Sequence, residues 1–218
     1  MTKKGFIFDL DGVIVDTAKY HFLAWKNLAK SIDIDFTHEQ NEQLKGVSRV
    51  RSLEKILEWG NKTITQEQFK DLMGRKNDDY LSFIAKMDAN EILPDVPRVL
   101  DFLIEKNQPI SLGSASKNAQ PILEKVNLLS KFDAIVDGND VSKAKPDPEV
   151  FLIAAQHLNM KPEDCIVFED SVAGVQAANK ANMISIGIGE KDVLHEADYI
   201  FSDFTEIENS FIEELINR

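Results

Sequence analysis

Short apolar runs, rich in isoleucine, valine or phenylalanine and closed by glycine, aspartate or serine, alternate with segments of helical periodicity. Runs of this kind are typical of strands that are covered on both faces. Strands that alternate with helices favour a parallel sheet joined by right-handed crossovers. We therefore predict an α/β fold. Its predicted strands lie at residues 5–10, 110–113, 134–136, 165–168, 184–188 and 199–201, and its helices at residues 96–106, 118–126, 148–158 and 171–179.

Residues 17–87 interrupt this alternation, because no strand pattern is found in them. Five segments have helical periodicity instead, at residues 21–31, 40–44, 51–59, 65–76 and 78–87. Thr65 and Gln68 have the spacing of a capping box, in which two side chains bond the backbone of a helix's first turn. We therefore predict a core domain of residues 1–15 and 93–218, with residues 16–92 inserted into it as a helical domain.

The composition disfavours several classes of partner. Of the 218 residues, 43% are apolar, which is enough for a sizeable core without a disulfide or metal. A net charge of −12 and a pI near 4.8 argue against nucleic acid and anionic membranes. The longest segment without Lys, Arg, Asp or Glu is residues 150–160, well short of the roughly 20 apolar residues of a spanning helix. Asp9 and Asp11 interrupt the first apolar run, so a secretory signal is not expected there and we expect a cytoplasmic location.

Two aspartates follow the first predicted strand. Asp9 and Asp11 are two residues apart, and such residues point the same way in an extended chain, with Leu10 turned towards the core. Ligands of open parallel sheets bind at the carboxyl ends of the strands. Because neighbouring carboxylates repel each other without a cation, the pair indicates a hard metal such as Mg²⁺. A plain turn is the alternative, since aspartate and glycine also form turns.

Three later segments carry polar residues between a strand and a helix. Residues 112–118 are mostly small, and their backbone could bind an anion at a helix start, although serine and asparagine also act there as ordinary caps. Lys145 precedes a proline and could hold a phosphate as a point charge or lie in solvent. Asp170 could cap the next helix, or it could join Glu169 and the first two aspartates in an oxygen cage for Mg²⁺.

Together these segments resemble the four ordered motifs of the haloacid dehalogenase superfamily, and the helical block is similar to that superfamily's subclass I cap. The matching residues are Asp9-x-Asp11-Gly12 with Thr17, then Ser114, then Lys145-Pro146, then Glu169-Asp170. The resemblance covers nearly the whole chain. It implies a Mg²⁺-dependent phosphoryl-transfer enzyme with a Rossmann-like parallel-sheet core domain and an inserted all-helical cap domain.

The cap carries a narrower resemblance. His21, Trp25 and residues 41–49 and 75–78 are similar to the hexose-phosphate mutases of this superfamily, as are residues 114–118. This resemblance implies interconversion of β-D-glucose 1-phosphate and D-glucose 6-phosphate through an aspartyl-phosphate enzyme. It also implies β-glucose 1,6-bisphosphate as the intermediate and activator. The expected partners are therefore small sugar phosphates, and we expect the protein to be a monomer.

The resemblance also implies roles for the core residues. Asp9 is the nucleophile, and Asp11 is the general acid and base. The transferring phosphoryl group is held by Ser114, the Ala115 N–H group and Lys145. Thr17 ties the joint between the domains to Asp11, and His21 connects that joint to Lys76. The implied Mg²⁺ ligands are Asp9, the main-chain carbonyl of Asp11, Glu169 and Asp170.

The remaining implied site residues bind substrate. Those expected at the second phosphate are Arg49, Ser116, Lys117 and Asn118. Those expected around the sugar are Trp25, Leu44, Lys45, Gly46, Val47, Ser52 and Lys76. Some cap residues have a simpler interpretation: Trp25 as core packing, His21 as a partly buried structural histidine, and Lys76 as a solvated helix lysine.

Two other functions stay open at this point. A sugar-phosphate or phosphoglycolate phosphatase of the same superfamily would use the same four motifs. It would not need Arg49 and residues 116–118 to bind a second phosphate. A non-enzymatic sugar-phosphate sensor would need no intact catalytic set, whereas Asp9, Asp11 and Lys145 are all present. The basic residues of the cap favour the mutase interpretation.

Overall fold

The chain divides into two compact units in a computed structural model that describes residues 3–44 and 47–218. The core unit comprises Met1–Asp16 and Asp88–Arg218, and the cap unit comprises Thr17–Met87. The second division falls five residues before the predicted boundary at residue 92. The reason is local: Ile92 pairs with Val15, and the Leu93 N–H group donates to the Ile14 carbonyl (3.0 Å), which ties this segment to the core.

A six-stranded parallel sheet forms the centre of the core unit. Its strands are β1 (Gly5–Phe8), β2 (Ile110–Gly113), β3 (Ala134–Val136), β4 (Cys165–Glu169), β5 (Ile184–Ile188) and β6 (Tyr199–Phe201). They lie in the order β3-β2-β1-β4-β5-β6, with Phe8 in register with both Leu112 and Phe168. The predicted α/β fold with a parallel sheet is confirmed.

Helices connect the strands of the core unit. They are α5 (Val96–Glu105), α6 (Ala119–Lys125), α7 (Glu149–His157), α8 (Val172–Lys180) and α9 (Asn209–Asn217). The first four match predicted helices to within a residue or so at each end, whereas α9 was not predicted. Helices α7 and α8 pack on one face of the sheet, where Phe151 and Ala178 are buried with Ile7 and Val167.

On the sheet itself, aromatic packing supports the strands that carry the polar motifs. The rings of Phe8 and Phe168 stack with centroids 4.6 Å apart, and Phe204 packs 5.5 Å from Phe168. All three side chains are buried. Burial of such a side chain contributes roughly 1.5–3 kcal/mol, so the strands that precede Asp9 and Glu169 are firmly anchored.

The cap unit is helical in its described part. It contains α1 (Ala18–Ser31), α2 (His38–Glu42), α3 (Arg49–Trp59) and α4 (Gln66–Ile84). The prediction of two helices at residues 65–76 and 78–87 was wrong: α4 is continuous, since the sequence around Asn77 holds no proline that would end it. The predicted capping box of Thr65 and Gln68 is confirmed. Phe22, Trp25, Leu53, Ile56 and Leu72 are among the residues of the cap's own core.

In the part of the chain that the structure describes, no helix is both long and apolar enough to cross a membrane.

Candidate active site

The polar motifs of the core unit meet at one edge of its sheet. Asp9 directly follows β1, Ser114 directly follows β2, and Glu169 is the last residue of β4. Because these strands are parallel neighbours, their carboxyl ends lie side by side. The Asp9 N–H group still donates to the Phe168 carbonyl (3.0 Å), so the sheet hydrogen bonds extend to the first residue of the motif.

Lys145 links these strand ends. Its Nζ donates to Asp9 Oδ1 (2.6 Å), to Glu169 Oε1 (2.5 Å) and to the main-chain carbonyl of Gly113 (3.1 Å). The lysine reaches them from the loop between β3 and α7, and its side chain is buried. A buried charge is tolerated only when it is paired and hydrogen-bonded, and this ammonium group directs all three of its N–H groups at oxygen acceptors.

The charges of this cluster perturb one another. Burial raises the pKa of Asp9 to about 7, against the attraction of Lys145, and the nearby charges of Glu169 and Asp11 push it further up. Burial opposes the charge of Lys145, but the attraction of Asp9 and Glu169 outweighs it and raises the pKa of the lysine. The lysine therefore stays protonated between the two carboxyl groups.

The start of helix α8 orients Glu169. Its Oε2 accepts hydrogen bonds from the Ser171 N–H group (2.8 Å) and from Ser171 Oγ (2.8 Å). The same hydroxyl oxygen accepts from the Gly174 N–H group (3.1 Å), so Ser171 also caps the helix. A Cβ on Gly174 would lie 1.9 Å from Glu169 Cδ. Gly174 therefore leaves the space that the carboxylate occupies.

The small-residue loop after β2 is organised by its own hydroxyl groups. Ser114 is buried, and its Oγ accepts from the Ser116 N–H group (3.1 Å). Ser116 Oγ accepts in turn from the Asn118 N–H group (3.3 Å). Ala115 is partly exposed, and the Lys117 side chain is exposed next to it. Ser114 is thus enclosed at the end of β2, whereas Ser116 is half-buried and Lys117 is exposed.

The carboxylates of the core unit suit a divalent cation. Among residues 3–44 and 47–218, no three acidic, histidine or cysteine side chains converge closely enough to hold a metal ion as they stand, and Lys145 lies between two of the predicted ligands. The donor set nevertheless fits Mg²⁺: Asp170 packs against the loop after Asp11, with its Oδ2 2.1 Å from the point where a Gly12 Cβ would lie. Carboxylate oxygens are the hard ligands that Mg²⁺ prefers.

The cap unit contains a separate cationic cluster. Lys76 is only 2% exposed, and its Nζ lies 4.8 Å from the Trp25 ring centroid and 4.5 Å from that of Tyr80. The same Nζ is 3.0 Å from His21 Nδ1. Burial, and then the positive charges of Lys76 and Arg49, hold the pKa of His21 well below its usual value. His21 is therefore neutral, and its Nδ1 accepts from the lysine.

Several other predicted cap residues are committed to the cap's own packing. Trp25 and Leu44 belong to the cap core, which agrees with the packing interpretation of Trp25. Ser52 is buried, and its hydroxyl donates to the Ser48 carbonyl (3.0 Å) within α3. Arg49 and Val47 are half-buried, and burial lowers the pKa of the arginine. The predictions for Lys45 and Gly46 lie outside the described residues.

Thr17 begins the cap and is completely buried, at the N-terminus of α1. Its backbone carbonyl accepts from the His21 N–H group (3.0 Å).

Three residues of these clusters were not predicted. Ser171 and Gly174 shape the surroundings of Glu169, and Tyr80 faces Lys76 and packs 4.2 Å from the His21 ring. The serine and the glycine lie in the segment that follows Glu169-Asp170, so a closer look at that segment could have found them. Tyr80 has the one-turn spacing from Lys76 that brings side chains together on a helix.

A family model described as haloacid dehalogenase-like hydrolase matches residues 3–182, so the chain belongs to this family. The β-phosphoglucomutase of Bacillus subtilis (strain 168) is 43% identical over 213 residues, which cover 97% of this chain and 94% of that relative. A crystal structure of β-phosphoglucomutase from Clostridium difficile is 41% identical, covers 99% of this chain and 97% of its own, and has a TM-score of 0.94. The predicted superfamily is confirmed, and the chain is an enzyme homologous to β-phosphoglucomutase.

Phosphatases are also among the relatives. A phosphorylated carbohydrates phosphatase of Thermotoga maritima (strain ATCC 43589 / DSM 3109 / JCM 10099 / NBRC 100826 / MSB8) is 31% identical over 179 residues, which are 81% of each chain. The relatives of this chain thus include both a mutase and a phosphatase.

Proposed function

We propose that this enzyme interconverts β-D-glucose 1-phosphate and D-glucose 6-phosphate through an aspartyl phosphate and β-glucose 1,6-bisphosphate. The observation that carries the proposal is the cationic cluster of the cap. The positive charges of Lys76 and Arg49 both lower the pKa of His21 there, although the net charge of the chain is −12. Hydrolysis of a monophosphate needs one phosphate site, whereas a bisphosphate intermediate needs a second. Arginine suits that second site because its planar fork binds phosphate oxygens in pairs.

In the proposed reaction, a carboxylate oxygen of Asp9 attacks the phosphorus of the bisphosphate. The P–O bond to the sugar breaks, and Asp11 gives a proton to the departing sugar oxygen. β-Glucose 1-phosphate then replaces the glucose 6-phosphate product in the site. In the second half-reaction, Asp11 takes the proton of its free C6 hydroxyl as that oxygen attacks the phosphorus of the aspartyl phosphate, the P–O bond to Asp9 breaks, and β-glucose 1,6-bisphosphate forms again. Asp9 is then released as a carboxylate, so the enzyme returns to its starting state.

The core residues would position and neutralise the transferring group. Lys145 already touches Asp9 and would pair with phosphoryl oxygens next to it, assisted by Ser114 and the Ala115 N–H group. Mg²⁺ would be held by Asp9, the main-chain carbonyl of Asp11, Glu169 and Asp170. When bound, it supplies positive charge against the phosphoryl oxygens. Ser116, Lys117 and Asn118 would bind the second phosphate together with Arg49.

The direct test is ³¹P NMR of the protein with Mg²⁺, β-glucose 1-phosphate and a trace of β-glucose 1,6-bisphosphate. Conversion to glucose 6-phosphate without inorganic phosphate is the expected result. Steady release of inorganic phosphate would contradict the proposal and would indicate a phosphatase instead.

Two arginines on helix α3 give a matched test of the second phosphate site. Arg49→Ala should reduce mutase turnover about 10- to 100-fold, which corresponds to one charge-assisted hydrogen bond of about 1.5–3 kcal/mol, while hydrolysis of a small phosphate ester changes little. Arg51 is the control, because it is exposed and pairs with Glu54 and Glu58. Equal mutase rates in the Arg49→Ala and Arg51→Ala proteins would contradict the assignment.

A further inference from the structure

We propose that Glu149 is a positioning residue that fixes the loop carrying Lys145. We call residues 142–148 the lysine loop. The proposal rests on the proposed phosphoryl transfer at Asp9 but does not depend on whether a sugar or water accepts the phosphoryl group. Neither the sequence motifs nor the relatives' names assign a role to Glu149.

The lysine loop has little apolar anchorage of its own. Ser142, Lys143, Ala144 and Pro146 are exposed, whereas Lys145 between them is buried. Packing therefore does not fix the backbone on either side of the lysine. Yet the Lys145 ammonium makes three contacts of 2.5–3.1 Å, which leave it little freedom. Polar contacts elsewhere must hold the loop.

Glu149, the first residue of α7, makes such contacts. Its Oε2 accepts from the backbone N–H groups of Ser142 (2.9 Å) and Lys143 (2.6 Å). Both of its carboxylate oxygens are 3.0 Å from Ser142 Oγ. One carboxylate thus closes the loop by joining its first two residues to the helix that follows it. The Lys143 N–H bond contributes most to a lowered pKa of Glu149, so the group is charged at neutral pH.

Further contacts fix the other side of the loop. Lys180 Nζ, from helix α8, donates to the Pro146 carbonyl (3.0 Å). The Asp147 N–H group donates to the Ala144 carbonyl (3.0 Å), and Asp147 Oδ1 accepts from the Glu149 N–H group (3.1 Å). Lys145 therefore lies in the middle of a loop held at both ends. Glu149 fixes the part of the loop that precedes Lys145.

Glu149 acts only through Lys145, since its contacts are with the loop and not with Asp9. Misplacement of a positioned group by about 1 Å costs on the order of 10²-fold in rate. Glu149→Ala should therefore lower kcat about 10²-fold. KM should stay within about threefold, because the groups that would bind the second phosphate and the sugar are untouched. Glu149→Gln should show a smaller loss, since its amide oxygen can still accept from one N–H group.

Glu67→Gln is the matched control. Glu67 is an exposed acid in the first turn of α4, so its replacement makes the same chemical change at a helix start without touching the lysine loop. Its kcat should equal that of the unmodified protein. Circular dichroism at the assay temperature should show that every variant is folded, because the contacts of Glu149 lie on a largely exposed loop and not in a hydrophobic cluster.

A spectroscopic readout separates positioning from a general loss of structure. With Mg²⁺ and beryllium fluoride, Asp9 should form a beryllofluoride mimic of its phosphorylated state, whose fluorine atoms are resolved by ¹⁹F NMR. The resonance of the fluorine that accepts from Lys145 should shift in the Glu149 variants and stay unchanged in Glu67→Gln.

An unchanged ¹⁹F spectrum and kcat in Glu149→Ala would overturn the proposal, as would a kcat loss that Glu67→Gln shares. The test does not depend on the mutase assignment. The beryllofluoride spectrum requires only the Asp9 site, and the rates can be followed as mutase turnover or as phosphate release.

Discussion

Replacement of Gly174 by alanine tests whether the space beside Glu169 is essential. Mid-helix glycine to alanine substitution ordinarily stabilises a helix by up to about 1 kcal/mol. At this position, however, the new methyl group would lie 1.9 Å from both Cδ and Oε1 of Glu169 and 2.4 Å from Oε2. The carboxylate must therefore move as a whole, although it is only 1% exposed and is held by hydrogen bonds from Lys145 and Ser171.

The cost follows from the contacts that Glu169 would lose. It accepts two hydrogen bonds from Ser171 and one from Lys145, and hydrogen bonds to charged groups are worth about 1.5–3 kcal/mol each. Loss of the two Ser171 bonds outweighs the gain in helix propensity. We therefore expect Gly174→Ala to lower the free energy of unfolding by about 2–5 kcal/mol.

Gly74 provides a control for the same substitution. It also lies within a helix, α4, but a Cβ there would meet nothing within 4 Å. Gly74→Ala should raise the free energy of unfolding by up to about 1 kcal/mol. Urea unfolding followed by circular dichroism measures both variants. If Gly174→Ala proved as stable as Gly74→Ala, the argument that Glu169 fills this space would be refuted.

Three more predictions follow from individual side chains. His21 is neutral in the folded protein, whereas in the unfolded chain it gains a proton near its usual pKa of 6.5. The free energy of unfolding should therefore decrease as the pH falls below 6.5, by up to about 1.4 kcal/mol per pH unit. Urea titrations between pH 5 and 8 should show that His21→Gln flattens this dependence on pH. Burial raises the pKa of the Cys165 thiol to about 12. The folded protein should therefore resist a thiol reagent at pH 8 and react only when urea unfolds it. Rapid labelling without urea would contradict the burial of Cys165. Arg98 donates to the Ile207 carbonyl (2.7 Å) and to Asp95 Oδ2 (2.9 Å). Arg98→Ala should therefore lower the free energy of unfolding by about 1–3 kcal/mol and speed amide hydrogen exchange in α9. Unchanged exchange in α9 would contradict the link between Arg98 and this helix.

The strands were predictable because the sheet is covered on both faces. The strand Cys165–Glu169 is buried along its whole length, and its first four residues form an unbroken apolar run in the sequence. The helices were harder to delimit. Helix α4 was predicted as two helices. The C-terminal helix α9 was missed, although Ile212, Leu215 and Ile216 have helical spacing, because contacts from distant residues such as Arg98 hold its start.

The motifs of the site could be located from sequence, but their contacts could not. The parallel topology alone brings Asp9 and Glu169 to the same edge of the sheet. That Lys145 lies between them depends on a loop path that no local pattern encodes. Glu149 and Gly174 matter for the same reason: their importance lies in distances to residues elsewhere in the fold, whereas in the sequence they are an ordinary helix-start acid and an ordinary helix glycine.

The position of β1 in the sheet has a consequence for the order of events on the ribosome. This strand precedes the whole cap in the chain, yet its two neighbours are β2 and β4, which follow the cap and end at residues 113 and 169. The cap segment is finished at residue 87, and its helices pack in a core of their own. Domains fold as units during synthesis, so the cap can fold before either neighbouring strand of β1 has been made. Strand β1 is thus completed on both sides only after residue 169 has been made, long after the cap that follows it.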